Sequence, residues 1–156
     1  MDNIPAKAQF LRNDLAKKLH ALDADAPRKW GKMNVQQMIE HMSYSLRQAS
    51  GKDVYECLTP EENLPRMQAF LASEKPFREN TPNRLLPDEP EAPSKANKEE
   101  AIEELQEEIN HFFKVFEEDS NKKIMNPFFG LLGYEQWVQL LHKHAWHHLH
   151  QFGIEE

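Results

Sequence analysis

The chain has 156 residues, 39% hydrophobic and 29% charged, with a net charge of −7 and a pI near 5.6. Those values fit one globular domain spanning 1–156 and exclude a disordered tail or a collagen-like chain. An acidic domain gains no counterion-release energy from a phosphate backbone, no apolar run reaches about 18 residues, and one cysteine cannot pair within the chain, so the expectations are no nucleic acid, no membrane span and a reducing, cytoplasmic setting.

The first residues, MDNIPAKAQF, lack the basic start and apolar stretch of a signal peptide. A first helix is expected from about Ile4 to Leu22, because Leu11, Leu15, Leu19 and Leu22 form one stripe. Pro5 is tolerated in its first turn. The second helix has a sharper start. Asn34 is a good N-cap, Gln37 completes a capping box, and Met33 and Met38 stand at the staple positions. Its apolar face is Val35, Met38, Ile39, Met42 and Leu46, and Ser50-Gly51 ends it. A short helix is expected from Thr59-Pro60 to about Ser73, with Leu64, Met67, Phe70 and Leu71 on its apolar side.

Prolines 76, 82, 87, 90 and 93 forbid a helix or central strand over 76–93. We read this stretch as a crossover packed through Phe77, Leu85 and Leu86. The fourth helix runs from Ser94 or Asn97 to about Glu118, with Ile102, Leu105, Ile109, Phe112, Phe113 and Phe116 as its stripe. The glutamates from Glu99 to Glu108 read as its solvated face. Asn126-Pro127 and Gly130 mark a turn, and the fifth helix runs from about Gly133 to Phe152, with Gly153 as its C′ residue. No segment shows clean strand alternation. The expected fold class is therefore all-α, a bundle of four long helices with one short one and a long Pro-rich crossover.

Five of the eight histidines fall between Leu141 and Gln151. With His144 at zero on a helical wheel, Trp137 lies near 20°, His148 near 40° and Leu141 near 60°. His144 and His148 thus stack one turn apart inside the apolar stripe, whereas His142, His147 and His150 lie off it. Buried imidazoles must be hydrogen-bonded or ligated, since an unsatisfied polar group costs about 1–3 kcal/mol. Spacing of i, i+4 is a standard way to offer two nitrogens to one metal. The plainer reading is a histidine pair satisfied by carbonyls or water. Ala145 stands where a zincin protease needs glutamate, which argues against that class. A third ligand would come from another helix. His41, at the edge of the second helix's apolar arc, leads His20 and His111 modestly. Glu40 points about 100° away from His41 and receives no role. Cys57 reads as a loop bystander. Trp146 lies away from the stripe and hints at a subunit contact in a homodimer.

Two segments carry a resemblance. One is Trp30-Gly31-Lys32-Met33-Asn34 leading to Met38-Ile39-Glu40-His41. The other is Asn126-Pro127-Phe128-Phe129-Gly130 leading through Trp137 to HKHAWHHLHQFG, residues 142–153. Together with the helix order, they make the chain resemble the DinB/YfiT-like superfamily of metal-binding four-helix bundles, in a subgroup defined only as a domain of unknown function. The resemblance implies a divalent ion held by His41, His144 and His148, with zinc or nickel the metals that suit three imidazoles. It also matches the family's glutamine at Gln151, and departs from it at Gly133, where a Ser or Thr cap is expected. The reaction class implied is a transferase or hydrolase acting on a small molecule, with a low-molecular-weight thiol as one co-substrate. The alternative is a non-enzymatic metal-binding or stress-associated module.

Overall fold

A computed structural model describes all residues except 81–84 and 88. The chain opens with an unbroken helical run made of α1 (Ile4–Gln9), a π-turn over Phe10–Asp14, and α2 (Leu15–Ala21). Leu11, Leu15 and Leu19 are buried as one stripe. The π-turn was not expected from the spacing. Its wider loop is closed by Leu15 N–H donating to the Phe10 carbonyl.

Helix α3 (Val35–Ser50) starts at the capping box. Asn34 Oδ1 accepts from Gln37 N–H and Gln37 Oε1 accepts from Asn34 N–H, each at 2.8 Å. The helix ends at Gly51, whose φ of +83° is the left-handed turn a glycine takes without strain. After one 3₁₀ turn, Glu61–Asn63, the short α4 (Leu64–Ala72) buries Leu71 and half-buries Leu64, Met67 and Phe70.

Within 76–93, Phe77 packs on Phe70 and on His147, with ring centroids 5.6 and 5.9 Å apart. Leu85 and Leu86 are half-buried, and Pro82 lies outside the described residues. The far end is tied to α3. Gln37 Nε2 donates to the Glu91 carbonyl at 2.9 Å, and Glu40 Oε1 accepts from both Ser94 N–H and Ser94 Oγ at 2.8 Å. Helix α5 (Lys98–Glu118) follows, with Asn97 Oδ1 accepting from Glu100 N–H at 2.9 Å. Its stripe from Ile102 to Phe116 is buried, while Glu99, Glu100, Glu103 and Glu107 face solvent. Glu108 departs from that solvated face: it is buried and accepts from Lys52 Nζ at 2.7 Å.

The all-α expectation needs one correction. Strands β1 (Ile124–Asn126) and β2 (Gly130–Leu132) pair antiparallel, with Ile124 opposite Leu132 and Asn126 opposite Gly130. The loop between them is three residues long. Asn126 Oδ1 turns it by accepting from Phe128 N–H and Phe129 N–H at 2.8 and 3.0 Å. Gly130, at φ +86°, supplies the left-handed position that such a hairpin requires. Three residues per strand are too few to show alternation in a sequence.

Helix α6 (Tyr134–Gln151) starts from Gly133, which has no side chain to cap with. Only the returning half of a capping box forms, Gly133 N–H to Gln136 Oε1 at 3.2 Å. At the other end Gly153 N–H reaches the His150 carbonyl and Ile154 N–H the Leu149 carbonyl, the paired bonds of a Schellman motif. The helices pack in a ring. Helix α3 lies against α5 and α6, α1 lies against α6, and α2 lies against α5. Their stripes share one core around Trp137, Phe112, Met38, Ile39 and Leu15. The α3–α6 contact is the one that positions the site. Among the described residues, no helix is long and apolar enough to cross a membrane.

Candidate metal centre

His41 sits on α3 beside the fully buried Met38 and the nearly buried Met42, and faces α6. His144 and His148 face it from consecutive turns of α6. The structure brings the three rings together. His144 Nε2 lies 3.1 Å from His41 Nε2 and 3.0 Å from His148 Nε2. All three candidate ligand atoms lie within 4.8 Å of one another. The ring planes cross at 74° to 83°, and the short Nε2–Nε2 contacts show the nitrogens turned toward one another.

Protonation decides what this arrangement can do. Burial pushes His41 down to about 4. Burial first, then the neighbouring imidazoles, hold His144 and His148 well below the usual histidine range. All three are therefore neutral at pH 7, each with one N–H and one lone pair. The tautomer of His148 follows from its partner. Gln151 Nε2 donates to the Trp30 carbonyl at 2.9 Å, which leaves Gln151 Oε1 to accept from His148 Nδ1 at 2.9 Å. His148 Nδ1 thus carries the proton, and its Nε2 lone pair points at the other two rings. That outer hydrogen bond is the usual support for a metal-binding imidazole.

The residues fit a divalent cation. A single proton at the centre can satisfy only one of the two close Nε2–Nε2 contacts, whereas a cation accepts all three lone pairs at once. Metal–nitrogen bonds of about 2.0–2.1 Å at a tetrahedral angle would put the nitrogens about 3.3 Å apart, close to the separations of 3.1 and 3.0 Å that His144 Nε2 makes with the other two.

The other histidines do other things. His20 is exposed on α2 and His111 half-buried on α5, and neither joins the cluster. His142 meets the edge of Phe10 at 5.4 Å, and burial holds it near 4. His147 packs between Trp30 and Phe77 and lies 5.1 Å from the His148 ring. Together with Trp30, Phe77, His150, Lys29 and Glu79, it lines an open cavity of about 410 Å³. Trp146 is half-buried, stacked on Phe10 at 5.2 Å with Lys18 over its ring. Cys57 lies away from the cluster, its thiol donating to the Thr59 carbonyl. Glu40 is engaged elsewhere: besides Ser94, its carboxylate accepts from Gln36 Nε2 and Lys95 N–H.

Gln151 is legible in the sequence by likeness alone, and neither its bond to the Trp30 carbonyl nor the space beside Gly31, where a Cβ would stand 2.6 Å from Gln151 Nε2, is legible there. The spacing of His148 and Gln151 at i, i+3 was the available signal for the first. A backbone carbonyl in a loop leaves none.

Comparison with protein families matches residues 9–152 to the DinB superfamily, a span from α1 to just past the end of α6. No curated protein and no solved structure gives a significant match.

Proposed function

This chain belongs to the DinB superfamily, and on that premise we propose that it is a four-helix bundle holding a divalent ion, zinc or nickel, through His41, His144 and His148. The observation that carries this reading is the convergence of three neutral imidazole nitrogens within 4.8 Å of one another, two pairs of them at hydrogen-bond distance. The ring of packed helices supports the bundle architecture.

We further propose a metal-dependent transferase or hydrolase acting on a small molecule, with a low-molecular-weight thiol as a candidate co-substrate. Three histidines leave a coordination position open, and open sites are the catalytic kind. When bound, a divalent ion supplies Lewis acidity, which activates water or a thiol at neutral pH and polarises a carbonyl. The chain's own residues orient and enclose the site. Gln151 aims His148, and the open cavity beside His147, which the three cluster histidines do not line, has the size of a small-ligand pocket.

One observation favours the second reading, a non-enzymatic binding module. Glu40, the carboxylate next to His41 in sequence, has its oxygens taken by Ser94, Lys95 and Gln36, so it is not free to serve as a base. Metal analysis of protein purified without an affinity tag tests the shared premise. Titrating the cobalt-substituted protein with azide or a small thiol then separates the readings. A change in the visible spectrum supports an open, reactive site. A silent spectrum with cobalt demonstrably bound leaves the binding module.

A further inference from the structure

We infer that the Trp30–Gly31 turn sets the tautomer of His148 and, through it, the affinity of the histidine cluster for a divalent cation. Only the second half rests on the metal-binding reading above.

Gln151 is almost fully buried, at 3% exposure. Its amide bridges two partners, the Trp30 carbonyl at 2.9 Å and His148 Nδ1 at 2.9 Å. An amide is nearly symmetric in shape but not in hydrogen bonding: one end only donates, the other only accepts. The Trp30 carbonyl can only accept. It therefore captures the NH₂ end and turns the oxygen towards His148, which must place its proton on Nδ1. If that carbonyl moved away, the amide could rotate and donate its NH₂ to Nδ1. The imidazole proton would then sit on Nε2, on the side facing His41 and His144, where it blocks a cation.

The turn is built to hold the carbonyl in place. Gly31 has a φ of +81°, and a Cβ there would stand 2.6 Å from Gln151 Nε2. Glycine is required on both counts, backbone conformation and room for the amide. Arg28 Nε donates to the Gly31 carbonyl at 2.8 Å, and Lys29 N–H donates to the Gln151 carbonyl at 2.7 Å. The loop before α3 and the end of α6 are thus pinned to each other by main-chain and side-chain bonds. Trp30 and Gly31 are positioning residues, since neither touches the cluster itself.

The experiment reads ring-nitrogen tautomers by ¹⁵N NMR in the metal-free protein, and Zn²⁺ affinity by competition with a chelator. The variants are Gly31→Ala, Gln151→Leu and Gln151→Glu. Wild type should show the Nδ1–H form of His148. Gln151→Glu loses the bond to the Trp30 carbonyl but still accepts from Nδ1–H, so it should keep that tautomer. Gly31→Ala and Gln151→Leu should populate the Nε2–H form and weaken Zn²⁺ by roughly 10–100-fold. If Gly31→Ala does not fold, Arg28→Ala, which releases the Gly31 carbonyl, takes its place and should move the tautomer the same way; an unchanged tautomer in the folded turn variant overturns the inference. An Nε2–H form in wild type, or an unchanged tautomer in folded Gln151→Leu, overturns the inference. If wild type binds neither Zn²⁺ nor Ni²⁺ while the variants still shift the tautomer, the metal reading is defeated and the turn's control of the tautomer stands.

Discussion

His41 shows what burial does to an imidazole with no counter-charge. Its pKa falls to about 4, against about 6.5 for an unfolded chain. Between those values the unfolded chain binds more protons than the folded one, so stability rises with pH there. This contribution is fully present above about pH 6.5 and is lost as pH falls towards 4. His144 and His148 act in the same direction, as does His142, held near 4 by burial. The metal-free protein should therefore show a urea midpoint that is flat above about pH 6.5 and drops steadily below it. Replacing His41 by Gln should make that drop shallower. An acid slope identical in wild type and His41→Gln would contradict the assignment. The pair on α6 was legible because His144 and His148 share the stripe of Trp137 and Leu141. His41 was not separable from His20 and His111 by spacing, since each stands beside apolar residues on its own helix. Its place on the apolar arc gives it only a modest lead, the resemblance chooses it, and the packing of α3 on α6 brings it to the pair.

The elements themselves are held by end-capping of several kinds. Asn34 and Asn97 cap α3 and α5 with side chains, and both starts could be read from the sequence. The end of α2 is different. Lys98, the first residue of α5, is buried and sends its ammonium to the carbonyls of Leu19, His20 and Leu22, at 3.2, 3.0 and 2.5 Å. A cation at a helix C-terminus bonds the last carbonyls, of which that of Leu19 also accepts from Leu22 N–H, and opposes the helix dipole. Replacing Lys98 by Met keeps the stem and removes the donors. The expected cost is about 2–3 kcal/mol in urea unfolding, because carbonyls buried with the lysine lose a charged partner. A cost below about 0.5 kcal/mol would mean that water serves them equally well. No sequence rule reveals this cap, because the lysine lies in a different helix from the carbonyls it serves. The same limit hid the hairpin, where Asn126 does its work in a turn between strands too short to show a period. It also hid the π-turn at Phe10, since Ile4, Ala8, Leu11, Leu15 and Leu19 suit a regular α-helix equally well.

At the scale of the molecule, the histidine cluster joins α3 to α6, with His41 and His144 lying 103 positions apart in the chain. A cation bound there links two sides of the helical ring and is bound only when they are packed, because the unfolded chain does not hold the three nitrogens together. Binding energy then becomes folding energy. At a free metal concentration about 100 times the dissociation constant, the gain is about 2.7 kcal/mol. For a chain of this size that corresponds to a rise in Tm of about 5–10 °C. Dialysis against a chelator should remove the increment, and Zn²⁺ or Ni²⁺ should restore it. His144 supplies the nitrogen central to both short contacts, so His144→Ala should abolish the response to metal while leaving a folded protein. The same variant also removes buried polar surface, so its metal-free stability is not the quantity to compare. The decisive number is the metal-induced shift in each protein. An equal shift in wild type and His144→Ala would place the ion somewhere other than this cluster.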